Sequence, residues 1–399
     1  MKKMKKMKKM KKILLILFIL LIPTVAFANT GADEITNIID TQIKSSGASE
    51  LQSQLEKINN NDYSEILPNF NITNMTKMLT RGGWKWDIEI IFNRAFAFFC
   101  KQLYISIKVM IQLIMLALLG ALVENLQRSF GKEGAVEVAF YVCYCMIAAV
   151  GIKVFMLAVA GGQKVIDDMI VFMNALIPII LTLLATSGGV VSAGIFHPVI
   201  MMSVQVISLT VKSIIIPLIM LSTALKIADN LSGELGVGRL ANLLNLTVKW
   251  LIGIILTVFI GIISVQSIAT PAIDGISIKT TKFAVGNFVP VVGSILAESV
   301  DLVLGCSVIL KNAVGIAGLI GIVLICSAPA IRLFVQVILF QLASALIEPI
   351  SDKRIVNLIS ELGNSLNLIF SMVVTVTLMF LINITIIISA GNTVALMGR

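Results

Sequence analysis

Charge is scarce in this chain: Asp, Glu, Lys and Arg make up 13% of its 399 residues, against 57% hydrophobic. An ordinary soluble domain carries about 25% charged residues, so this composition cannot cover a water-facing surface. With a mean hydropathy of +0.98 it describes an integral membrane protein. Histidine is scarcer still, His197 alone. One histidine, set before Pro198 and read as structural, leaves no recognisable nucleophile, base and oxyanion arrangement, which argues against an intramembrane enzyme. The five cysteines, Cys100, Cys143, Cys145, Cys306 and Cys326, lie in or beside apolar runs without metal-ligand spacing. They are read as packed thiols, and neither a metal nor a cofactor is expected.

A general excess of positive charge is also missing, although the formal net charge is +9. Eight of the 31 basic residues sit in Met1 to Lys12, and the remaining 31 − 8 = 23 nearly balance the 22 acids. No basic surface for nucleic acid remains. Ile13 to Ile22 follow, an apolar stretch too short to cross a hydrocarbon layer of ~30 Å. Pro23 and the small-residue pattern Ala26-Phe27-Ala28 come next, so residues 1–28 read as a cleavable secretory signal, with an uncleaved anchor as the alternative. Residues 29–100 read as an exported polar, mostly helical region, with Ile35, Ile38, Ile39 and Ile43 at helical spacing among acids. Trp84 and Trp86 sit where an interfacial aromatic belt is expected.

Residues 101–399 form the multi-spanning membrane domain. Apolar runs cover roughly 103–123, 136–159, 169–187, 190–225, 250–270, 302–326, 329–350 and 366–390. The predicted fold is all-α and polytopic, with seven to eight transmembrane helices and one or two proline-broken or re-entrant segments. Backbone breaks are expected at Pro178, Pro217, Pro290 and Pro329, and Pro198 offers another within the over-long run 190–225. The segment 226–249 is predicted to lie along the interface, with Leu240, Leu243 and Leu244 on its apolar face. Basic residues divide evenly between the two sets of loops, so orientation rests on the signal segment. A candidate internal repeat pairs Pro178–Ser187 with Pro290–Ser299, an offset of 290 − 178 = 112 residues that also carries Pro217 onto Pro329. Duplicated, proline-interrupted segments are how many transporters build a central site.

The stretch Gly286–Gly321 concentrates the unusual residues. Glu298 and Asp301 share a helical face, and Lys311 lies close enough downstream to pair with them after a turn. Lys212 sits deep in apolar sequence and needs either a carboxylate such as Glu298 or an aqueous path. These four residues form a candidate intramembrane polar site that binds a cation, relays protons or fixes helix register. Gly315, Gly318 and Gly321 mark a close-packing helix face; no Lys-Ser or Lys-Thr follows them, so they are not a phosphate loop.

The block GNFVPVVGSILAESVDLVLGCSVILKNAVGIAGLIG resembles the signature region of the stage III sporulation protein AE family of endospore-forming bacteria. The approach GGWKWD and the stretch LANLLNLTVKWLIGIILTVFIG support the resemblance, which covers essentially the whole mature chain. It implies a subunit of the channel, or feeding tube, that joins mother cell and forespore, held in the mother-cell-derived outer forespore membrane with its N-terminal region on the exported side. The implied partners are the other subunits of the sporulation stage III A complex, including a secretion-type ATPase and ring-forming proteins, and a forespore membrane protein. No ligand residues carry over from the family. The alternative is a stand-alone, ion-coupled secondary transporter built on Lys212, Glu298 and Asp301, and a third reading is a purely structural anchor.

Overall fold

The computed structural model describes residues 88–130, 133–232, 236–288 and 293–397, which are helical with no strand among them. The signal segment 1–28, the exported region up to residue 87 with Trp84 and Trp86, and Pro290 lie outside the described residues. Seven helices follow in order: α1 (Ile88–Phe130), α2 (Glu133–Thr186), α3 (Val190–Thr210), α4 (Ile216–Ser232), α5 (Gly238–Phe288), α6 (Gly293–Ile347) and α7 (Lys353–Met397). A π turn over Val211–Ile215 joins α3 to α4, so the two act as one long unit. The membrane domain therefore begins in a helix that starts ahead of residue 101.

Among the described residues, six helical stretches are long and apolar enough to cross a membrane: Asn93–Val123, Val138–Thr186, Val190–Leu231, Gly238–Thr280, Val303–Ile347 and Lys353–Val394. The count falls from eight runs to six because two pairs of runs fuse. Runs 136–159 and 169–187 are one helix, α2, and runs 302–326 and 329–350 are one helix, α6. The polar patch Gly161–Asp168 looks like a loop in hydropathy, yet the helical backbone passes through it with its own hydrogen bonds intact.

The expected breaks at Pro178, Pro217 and Pro329 do not occur. Pro178, Pro198 and Pro329 each sit inside a helix, and Pro217 is the second residue of α4, just past the π turn. A helix removed from water satisfies its own polar groups better than any break could, so a single missing bond is tolerated. At Pro217 the widened π turn, one turn upstream, makes room for the ring. The two halves of the candidate repeat also differ locally. Ser187–Gly189 form the corner between α2 and α3, whereas residues 299–301, at the same offset, lie within continuous α6.

Successive units run antiparallel, as their contacts show. Gly315 and Gln341 of α6 meet Ile388 and Asn364 of α7, and Gly318 and Gly321 meet Leu176 and Phe172 of α2. The bundle thus has an upper end at the Ser187–Gly189 corner and a lower end at the Glu348–Asp352 turn. Its centre is α2, α6 and α7, packed on one another. At the periphery, α5 has only 12% of its most apolar window buried. The predicted interfacial segment is the lower part of α5: Ala241, Asn245 and Val248 face inward, while Leu240, Leu243 and Leu246 are exposed. Its leucine stripe points away from the bundle.

The glycines of α6 explain the close centre. A Cβ at Gly315 would overlap Ile388, at Gly318 Leu176, and at Gly321 the buried ring of Phe172. Three-residue steps drift around a helix, so the first glycine serves α7 and the other two serve α2. Gly321→Ala is expected to destabilise the protein by ~1–3 kcal/mol through overpacking. Gly194→Ala and Gly261→Ala, where nothing lies within 4 Å, are expected to leave thermal unfolding in detergent unchanged or slightly raised.

Candidate functional site

Polar side chains turn inward at two heights. The upper group centres on Lys311, which is fully buried in α6. Its Nζ donates to the Ile388 carbonyl at 2.8 Å and to Asn392 Oδ1 at 3.3 Å, both on α7. Gly391 leaves room for the ammonium, since a Cβ there would overlap Nζ. Among the described residues no carboxylate reaches Lys311. A buried ammonium costs several kcal/mol unless compensated, and here a carbonyl and an amide are its partners.

The expected pairing of Lys311 with Glu298 and Asp301 takes a different form. No turn intervenes: Gly293–Ile347 is one helix, and ten residues of helix separate Asp301 from Lys311 by ~15 Å. The side chains of Glu298 and Asp301 lie outside the described residues. Lys212 is also placed otherwise than expected. It pairs with Asp167 of α2 on the outer surface, with side chains 44% and 45% exposed. A partner 45 residues upstream, in what looked like a loop, gave no local sequence signal.

Asp274 of α5 is an unanticipated member of the upper group. It is buried, and its two carboxylate oxygens each accept a backbone bond of 2.8 Å, from Val191 N and Ser192 N at the start of α3. Gly189, the residue at the cap position, offers no side chain, so a neighbouring helix supplies the cap and pins the α2–α3 corner to α5. Gly188 holds that corner at φ +97°, a conformation that favours glycine.

The lower group ties α4, α6 and α7. Lys226, 7% exposed, pairs with Glu361. Thr223 donates to Ser365 at 2.8 Å, and Gln341 donates to Asn364 at 3.0 Å. Ser222 bonds Asn245 of α5. Between the two groups, Asn383 is fully buried with neither amide atom bonded, and Asn174 Oδ1, Gln266 Oε1 and Asn312 Oδ1 are likewise unpartnered. Such groups normally find water or a ligand. The arrangement offers donors and acceptors along the interior, and among the described residues no cluster of metal-ligating side chains.

The model of the stage III sporulation protein AE family matches residues 70–391. Stage III sporulation protein AE of Bacillus subtilis (strain 168) is 32% identical over 336 residues, which is 84% of this chain and 84% of that protein. No solved structure matches the chain.

Asp274→Ala strands two buried backbone donors and is expected to cost at least ~1–3 kcal/mol. Asp274→Asn, which keeps one acceptor, should lose less in the same thermal unfolding measurement. Glu361→Gln leaves Lys226 without its counter-charge and should destabilise, whereas Lys226→Met with Glu361→Leu together should recover most of that loss.

Proposed function

We propose, from the premise that this chain belongs to the stage III sporulation protein AE family, that it is a non-enzymatic membrane subunit of the mother cell–forespore channel complex of spore formation. It acts there as a permease-like or scaffolding component in the outer forespore membrane. Its partners are the other subunits of the stage III A complex, with ATP hydrolysis supplied by a secretion-type ATPase and continuity by ring-forming and forespore membrane proteins. The N-terminal region faces the intermembrane space.

The observation that carries this reading is the family match across most of the membrane domain. Lys311 and the unpartnered interior amides support a hydrated polar interior of the kind a transport component needs. The stand-alone transporter has less support: Lys212, one of its three residues, is engaged with Asp167 on the outer face.

The test is a Lys311→Met exchange in sporulating cells, which keeps the side-chain length and removes the charge. A transport role predicts few heat-resistant spores at normal protein level, while a merely structural lysine predicts loss of the protein itself from the membrane. Purified alone in vesicles, the chain is expected to move no substrate; solitary transport would favour the secondary transporter.

A further inference from the structure

A group of exposed charges on the long helices gathers at one height. Lys212 at the π turn pairs with Asp167, and Lys164 and Asp168 lie within a turn of that carboxylate. The register carries this height around the bundle. Gly162 faces Ile369, and the rings of Phe334 and Phe370 are 5.6 Å apart, so Lys164 stands level with Arg332 of α6. The Ser222–Asn245 bond sets α4 against α5 and brings Lys249 to the same zone. Phe99, 6.4 Å from Phe334, brings in Arg94 of α1. These side chains form a girdle about three helical turns deep, or ~15 Å, and predominantly basic.

Above the girdle, charge vanishes. Residues 169–186, 190–211, 250–273 and 312–331 contain no Asp, Glu, Lys or Arg, nor does α7 from 362 to its end. The first four stretches, of about 18 to 24 residues, span ~27–36 Å at 1.5 Å per residue, and a hydrocarbon layer is ~30 Å thick. Asp274 and Lys311, at the top of this slab, are buried and hydrogen-bonded. Below the girdle no such slab exists. Gly151 faces Leu362, which puts exposed Lys153 beside the Lys226–Glu361 pair. Charge thus returns after about ten residues, ~15 Å, half a hydrocarbon thickness.

The outer face of α5 fits the same division. A groove of about 560 Å³ begins at Leu246, passes Lys249 and Trp250 near its lower end and runs upward past Gly253 and Thr257 to Val258. A cation and an indole at one end and apolar helix beyond match an acidic lipid, its phosphate at the girdle and a chain along the groove.

We propose that the bilayer encloses only the upper half of the bundle, and that the basic girdle holds the phosphates of one leaflet. Five units cross: α2, the α3–α4 unit, α5, α6 and α7. Helix α1 runs downward from the girdle, with Gly120 beside Ile355 at the lower end, and does not cross. The outward apolar side chains of the lower half, Leu119 and Met146 among them, lie outside the hydrocarbon. This placement rests on register and charge and is independent of the channel reading.

The test uses the full chain in vesicles of phosphatidylcholine and phosphatidylglycerol whose acyl chains carry bromine. Fluorophores are attached through single cysteines at Met202, Val258, Leu119 and Met146 on a background without native thiols. Strong quenching at Met202 and Val258 with little at Leu119 and Met146 is expected; equal quenching at all four overturns the proposal. A variant that keeps Cys145 and lacks Cys100 and Cys143 gives a second readout, because Cys145 is an exposed thiol in the lower half and Cys306 and Cys326 are buried. Protein labelled at Cys145 in detergent and then reconstituted should stay bright, and quenching as strong as at Met202 again contradicts the placement.

Discussion

Gly315, Gly318 and Gly321 let the backbone of α6 approach α7 and α2 more closely than any side chain would allow. Lipid tails are as apolar as leucine, so no hydrophobic force drives helices together in a membrane; tight packing and interhelical hydrogen bonds must do it. The glycine approach gives the packing, and it puts Lys311 within reach of the Ile388 carbonyl, which adds the hydrogen bond. From this three-helix centre the rest is arranged outward: α5 is pinned at the top by Asp274, α4 at the bottom by Lys226 and Glu361, and α1 lies along the lower flank.

The same constraint sorts the charges. Those that point inward are satisfied by carbonyls, amides, backbone donors or a counter-charge, at positions where the helices leave room. Those that point outward lie at mid-height and below, and an uncharged slab one bilayer thick remains above them. A bundle built this way has helices far longer than one membrane needs, and its lower half exposes apolar side chains such as Leu119. Subunits of the proposed channel complex would bury that surface, so the fold suits a component of an assembly better than a solitary carrier.

Much of this was legible in the sequence. The apolar runs fall in the six long stretches, and the glycine triplet occupies a helix contact, because both signals are local and periodic. The proline breaks misled, since a proline's cost depends on whether water or another helix stands ready to satisfy the freed carbonyl. In the segment Arg239–Lys249 the stripe of Leu240 and Leu243 is exposed, and what its amphipathic spacing did not show is that it runs on without a break into the rest of α5. The partner of Lys212 was hidden because Asp167 is 45 residues away, and the role of Asp274 because the helix start it caps belongs to another segment. Long-range pairings of this kind leave no spacing to read.

The close contact of α6 with α7 is tested most directly by a disulfide between them. Thr377 Oγ1 lies 2.9 Å from the Sγ of native Cys326. Thr377→Cys therefore sets two thiols face to face in the buried centre. After mild oxidation of the membrane protein, mass spectrometry should find one intramolecular bond joining Cys326 to the introduced thiol. If the new thiol stays free, or bonds instead to Cys143 or Cys145, α6 and α7 do not meet as described.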